Sequence, residues 1–113
     1  MEKNIEVTIS MKGNAAVLGI RGDVTATTGV SLEEACNGNG VADGPKLVLS
    51  FDKSCYINSG GLAFLINIAT QGRKKGQKIY VTGLSDHFQK IFHMVGLTRC
   101  MELVASEELA LKG

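Results

Sequence analysis

The sequence predicts a single α/β domain on a mixed β-sheet of about five strands, with a leading antiparallel hairpin and about four helices. Three observations predict it. The chain opens on strict apolar–polar alternation, then alternates strand-like with helix-like periods, and at its centre Leu47 to Leu65 runs from an apolar strand through a polar loop into a helix. At 113 residues and 44% hydrophobic content, residues 1–113 have the length of one domain. Such a domain should bury about two-thirds of its unfolded surface without staples.

Ile5, Val7, Ile9 and Met11 alternate with Asn4, Glu6, Thr8 and Ser10, the period of a strand with one covered face. Lys12-Gly13-Asn14 is a turn, and Ala15 to Arg21 returns as the second strand of a hairpin. Thr25 to Asn37 is expected to hold the first helix, with Thr25, Thr27 or Thr28 as N-cap and Ser31 to Glu34 matching a capping box. Asn37 to Pro45 is loop by composition. Lys46 to Phe51 is too short and apolar for a surface helix and fits a central strand covered on both faces. A helix follows from about Ser59 to Lys75, with Leu62, Leu65, Ile66 and Ala69 as its sheet-facing stripe and Gly76 at its end. Lys78 to Thr82 is a fourth strand, and Ser85 caps a helix whose apolar stripe is Phe88, Ile91, Phe92 and Val95, ended by Gly96. Cys100 to Val104 is a last short strand, and Ser106-Glu107-Glu108 opens a terminal helix. The right-handed crossovers of the βα units make the later strands parallel.

Twelve Lys and Arg against eleven Asp and Glu leave a formal charge of +1, which supplies no footprint for nucleic acid. Cys36, Cys55 and Cys100 are odd in number and without a CxxC pair, so reduced cytoplasmic thiols are expected and neither a disulfide framework nor a zinc site. The longest apolar run, Leu62 to Ile66, is far short of a membrane span, and the N-terminus has no export signal. His87 and His93 sit six apart, about 240° around a helix, and cannot share a metal from one face. Arg73-Lys74-Lys75 falls in a helix's last turn, where cations complement the dipole. No cofactor and no catalytic set is expected.

The candidate site is Asn58-Ser59-Gly60-Gly61, at the carboxyl end of a strand and the amino end of a helix, where unpaired N–H groups favour anions. Ser59 there is either a helix cap or a phosphate site. Gly60-Gly61 either finishes a tight turn or admits a close backbone approach by a partner or phosphate. Phe64 and Ile68 flank the core stripe and serve either burial under a neighbouring helix or contact with a partner protein. Cys55 is expected to be a buried, inert thiol.

The order of elements, together with Gly22-Asp23-Val24, Tyr56 to Leu62 and Phe88 to Leu97, resembles the STAS family of bacterial anti-sigma-factor antagonists. Its most specific piece is an apolar residue, Asp, Ser, Ser or Thr, Gly, then Leu or Ile, which reads here as Ile57, Asn58, Ser59, Gly60, Gly61 and Leu62. The resemblance implies a non-enzymatic, cytoplasmic switch that binds an anti-sigma factor which is also a serine kinase, with Ser59 as the phosphorylated residue. It also leaves room for a phosphatase. Asp23, Thr25, Asn58, Ser59, Gly60, Gly61, Phe64 and Ile68 are the partner-binding residues it implies. Asn58 stands where the family has Asp, Gly60 where it has a second hydroxyl, and Thr25 where many relatives have another Asp. The alternative is an unphosphorylated scaffold, or a module binding a small ligand or anion.

Overall fold

Residues 5–38 and 44–112 are described by the computed structural model. The opening alternation becomes β1 (Glu6–Lys12), which turns through Gly13 and Asn14 into β2 (Ala15–Arg21). Their register runs unbroken from Glu6 opposite Arg21 to Lys12 opposite Ala15. Gly13 takes φ 63°, the left-handed conformation such a turn requires. Then follow α1 (Gly29–Asn37), β3 (Lys46–Phe51), α2 (Ser59–Lys74), β4 (Lys78–Thr82), α3 (Asp86–Met94), a 3-10 turn (Leu97–Arg99), β5 (Met101–Leu103) and α4 (Glu107–Lys112). The sheet order is β1-β2-β3-β4-β5, antiparallel in the hairpin and parallel from β2 to β5.

Two-residue periodicity divides the sheet into two faces. Ala16, Leu18, Ile20, Leu47, Leu49, Phe51, Ile79 and Val81 form one, and Leu32 of α1, Leu65 and Ala69 of α2, and Phe88 and Phe92 of α3 pack against it. Ala15, Val17, Val48 and Tyr80 form the other, under Ala110 of α4 with Val104 and Leu111 at its margin. Lys46 is only 7% exposed there. Its Nζ donates to the Leu111 carbonyl at 3.0 Å and lies 5.5 Å from the Tyr80 ring centroid, while Lys12 forms an ion pair with Glu107. A cation brought into an apolar face needs such partners.

Three expectations are corrected. Ser31 lies inside α1 and forms no capping box. The turn before α1 is closed by Thr25, whose hydroxyl accepts from the N–H groups of Thr27 and Thr28 at 3.2 Å each. The last strand is shorter than Cys100 to Val104: Cys100 caps an unpredicted 3-10 turn at Leu97–Arg99, and the pairing with β4 spans Met101 to Leu103. On α2 the buried residues are Gly61, Leu65, Ile68, Ala69 and Gly72, while Ile66 is 43% exposed. A Cβ at Gly72 would come within 2.6 Å of Ile79 Cδ1, so the helix approaches the sheet along its small residues and turns Ile68, 6% exposed, inward. Ile68 is thus a core residue and not a surface contact. Of the expected loop at 37–45, residues 39–43 lie outside the described residues.

Cys36, Cys55 and Cys100 are free thiols. Burial, reinforced by the Glu33 charge, pushes the Cys36 thiol from 9.0 up to about 12. Because the folded value is the higher one, its contribution to stability is whole below pH 9.0 and is lost as pH rises toward 12. Alkaline unfolding of Cys36→Ala should therefore be less steep with pH across that interval than that of the parent. In urea at neutral pH, Ile68→Ala should cost about 2–5 kcal/mol and Ile66→Ala less than about 1 kcal/mol.

Candidate functional site

Neighbouring parallel strands end at the same edge of a sheet, so the loops that leave them emerge side by side. Here the loop after β2 (residues 22–28) and the loop after β3 (residues 52–58) are pinned to each other. Val24 N–H donates to the Tyr56 carbonyl at 2.8 Å, Asn58 N–H donates to the Val24 carbonyl at 3.1 Å, and Val24 and Ile57 form a parallel bridge. Cys55 adds a third tie: its Sγ donates to the Ile20 carbonyl at 3.3 Å. Burial raises its thiol pKa, which keeps the donated proton in place. The expected buried thiol is thus a structural donor.

The glycine pair opens α2 against this seam. A Cβ at Gly61 would lie 2.0 Å from the Val24 carbonyl oxygen, and one at Gly60 would lie 2.8 Å from Ala26 Cβ and 2.9 Å from Ala26 N. The close backbone approach expected at this pair is made by the chain's own β2–α1 loop. Neither side chain nor ligand fits between.

Asn58 is the N-cap of α2, and its Oδ1 accepts from Gly61 N–H at 2.8 Å. Ser59 is the first residue of the helix and is exposed. The cap alternative for Ser59 is therefore corrected. Asparagine and serine are both preferred caps, and the residue one place earlier takes the role. No acidic residue lies in the first turn of α2, so the positive end of its dipole beside Ser59 is not offset from within the helix, whereas Arg73 and Lys74 offset the other end.

Asp23 and Thr25 lie half-buried in the neighbouring loop. The Thr28 hydroxyl donates to the Asp23 carbonyl and accepts from Thr25 N–H at 2.8 Å, which fixes both residues relative to α1. Asp52, exposed at the end of β3, accepts from the Ser54 hydroxyl and N–H, and these bonds hold its carboxyl below the usual range. Asp23, Thr25, Asn58, Ser59, Gly60 and Gly61 are brought together by the two loops. Phe64 lies one turn further and packs its ring over Gly29, where a Cβ would meet it at 2.4 Å. Ile68 does not join them.

Tyr56 was not singled out by the sequence reading. It is 56% exposed in the loop that leads to Ser59 and meets Phe88 edge-on, with ring centroids 5.9 Å apart. Its neighbours Cys55 and Ile57 are both buried, and that in-out-in alternation inside a nominal loop was the signal for an outward aromatic.

These positions separate three roles. Ser59→Ala should change stability by less than about 0.5 kcal/mol, because the cap resides elsewhere. Asn58→Ala should lose about 1 kcal/mol, a typical cap loss. Gly61→Ala should lose more than Asn58→Ala, because backbone must move to admit the methyl group. Urea unfolding of the three variants checks the order.

A family model described as Mlab, STAS domain matches residues 7–105. The chain is 33% identical over 113 residues to Anti-sigma-F factor antagonist RsfB of Mycobacterium tuberculosis, covering 97% of this chain and 89% of that one. Its fold is similar to that of an anti-sigma factor antagonist from Mycobacterium paratuberculosis, with a TM-score of 0.77, 20% identity and coverage of 96% of this chain and 92% of that one. It is also similar to SpoIIAA in its unphosphorylated form, with a TM-score of 0.73, 14% identity and coverage of 95% and 94%. Matched over most of its length and resting on the hairpin, parallel strands and paired loops described above, the chain belongs to the STAS domain family.

Proposed function

We propose that this protein is an anti-sigma-factor antagonist: a binding switch without catalytic activity, whose partner is an anti-sigma factor with serine kinase activity and whose phosphorylated residue is Ser59. The observation that carries the reading is the exposure of Ser59 at the first position of α2 while Asn58 does the capping. A kinase can take this hydroxyl without dismantling the helix start. The relative named as an antagonist of an anti-sigma factor supports the class of partner.

In the unmodified state the surface around Asp23, Thr25, Tyr56, Asn58, Ser59, Gly60 and the partly exposed edge of Phe64 binds the anti-sigma factor and so releases a sigma factor. Gly61 serves that surface from beneath, by holding the two loops together. Phosphate adds about −1.5 to −2 charges. At a helix N-terminus with no acid in its first turn that charge is tolerated by the fold. Its cost falls on the complex, through desolvation and repulsion at the contact. A phosphatase would restore the binding form. Asn58 in place of an acid keeps the capping geometry and removes one negative charge beside the acceptor.

Coexpression with serine kinases of the native cell should add the mass of one phosphate to the parent and none to Ser59→Ala. Asn58→Asp, which keeps a good cap, should be modified at least as fast. If neither the parent nor Asn58→Asp takes up phosphate, the scaffold or ligand-binding reading replaces this one. By calorimetry, Ser59→Asp should bind the anti-sigma partner at least tenfold more weakly than Ser59→Ala, a difference of about 1.4 kcal/mol. Equal binding of the two folded variants removes Ser59 from the contact.

A further inference from the structure

Among the described residues the sheet has two edges, and they differ. β5 is three residues long, a blunt edge that offers little to pair with. β1 is seven residues long, its register with β2 has no bulge, and it contains no proline. The devices that usually disfavour edge pairing, an interior charge, a proline or a twist at a bulge, are missing from Val7 to Met11. Met11 is 56% exposed, and Val7 and Ile9 are only partly buried.

The strand is also complementary to itself. A two-residue turn closes on a hydrogen-bonded pair, here Lys12 with Ala15, so the N–H and C=O groups of Lys12, Ser10, Thr8 and Glu6 face β2. Those of Val7, Ile9 and Met11 then face outward. Placed antiparallel on a second β1 about a two-fold axis through Ile9, the outward groups of Val7 meet those of Met11 and Ile9 meets Ile9. In the same register Thr8 lies opposite Ser10, and Glu6 lies opposite Lys12 at both ends. Like faces meet like, and each charge meets its opposite, which is what an isologous contact requires. A shift by two residues forfeits both charge pairs. Lys12 already meets Glu107 of α4 and would lie between that carboxylate and Glu6 of the second copy.

We propose that β1 is a self-complementary edge through which two copies of this chain join their sheets into one continuous ten-stranded sheet. Because the axis is normal to the sheet, β2 of one copy runs opposite to β2 of the other. The two Ser59 sites then lie at opposite ends of the joined sheet, and each remains open to its own partner.

Seven paired residues make a small interface, so the association is weak and depends on concentration. Sedimentation equilibrium of the whole chain from about 10 µM to about 1 mM should show the mass rising from one chain toward two. Glu6→Lys places like charges at both ends and should weaken association at least tenfold. The exchange Glu6→Lys with Lys12→Glu should recover most of the loss. Met11→Pro removes an outward N–H and none of the hairpin's own bonds, and should weaken association at least tenfold in protein whose urea unfolding remains cooperative. A mixture of labelled and unlabelled protein should give intermolecular contacts between the two Ile9 side chains. A single-chain mass across the whole range overturns the proposal. So does a dimer that neither Glu6→Lys nor Met11→Pro weakens, or one without the Ile9 contacts.

Discussion

The Val24 carbonyl occupies the space that a side chain at position 61 would need, 2.0 Å from the place of its Cβ. The rest of the site depends on that approach. With glycine at 61, α2 can begin directly against the β2–α1 loop. Val24 can then bond both Tyr56 and Asn58, and the Asn58 side chain falls within reach of Gly61 N–H. Ser59 is left exposed at the rim of a seam tied by backbone hydrogen bonds from both loops. The two loops act as one surface because the backbone of one fills the notch in the other.

The same use of small residues sets the helix's attitude along its whole length. Gly61 at one end and Gly72 at the other are both buried, and Gly72 lies over Ile79. Between them Leu65, Ile68 and Ala69 supply the apolar contact. Close approach at both ends is worth more to packing than burying one further isoleucine, and so Ile66 is left at the surface. The exposed and the buried faces of α2 are consequently set by one rotation of the helix about its axis.

Strand positions were legible because their causes are local. Lys46 to Phe51 and Lys78 to Thr82 are bounded by Gly, Pro and polar residues and carry an apolar run of strand length, and both strands occupy those residues. The hairpin was legible from alternation. Ser85 was legible as a cap because Asp86 after it suits the first turn of the helix, where an acid complements the dipole. At Asn58-Ser59 two good caps are adjacent, and tertiary fit chose between them: Asn58 is the residue extended by its bond to Val24. The face of α2 was misjudged because hydrophobicity assigns weight to large side chains and none to glycine, while here glycine marks the line of contact. The role of the glycine pair required knowing which loop lies across from it, and the register of neighbouring strands supplies that. The fold of the site was therefore readable, and the division of labour within it was not.

α4 is six residues long, too short to persist as a helix by itself in water. Its order is lent by the sheet, through Ala110 over Val17, Val48 and Tyr80, the Lys46 bond to Leu111 and the Lys12 pair with Glu107. Lys12 and Lys46 lie at the hairpin turn and at the start of the central strand, so one weak helix is fastened to two parts of the sheet that are distant in sequence. Its backbone amides consequently act as a gauge of the sheet's reverse side: any event that shifts β1 relative to β3 is registered as faster exchange in α4, at the far side of the sheet from the helix that carries Ser59.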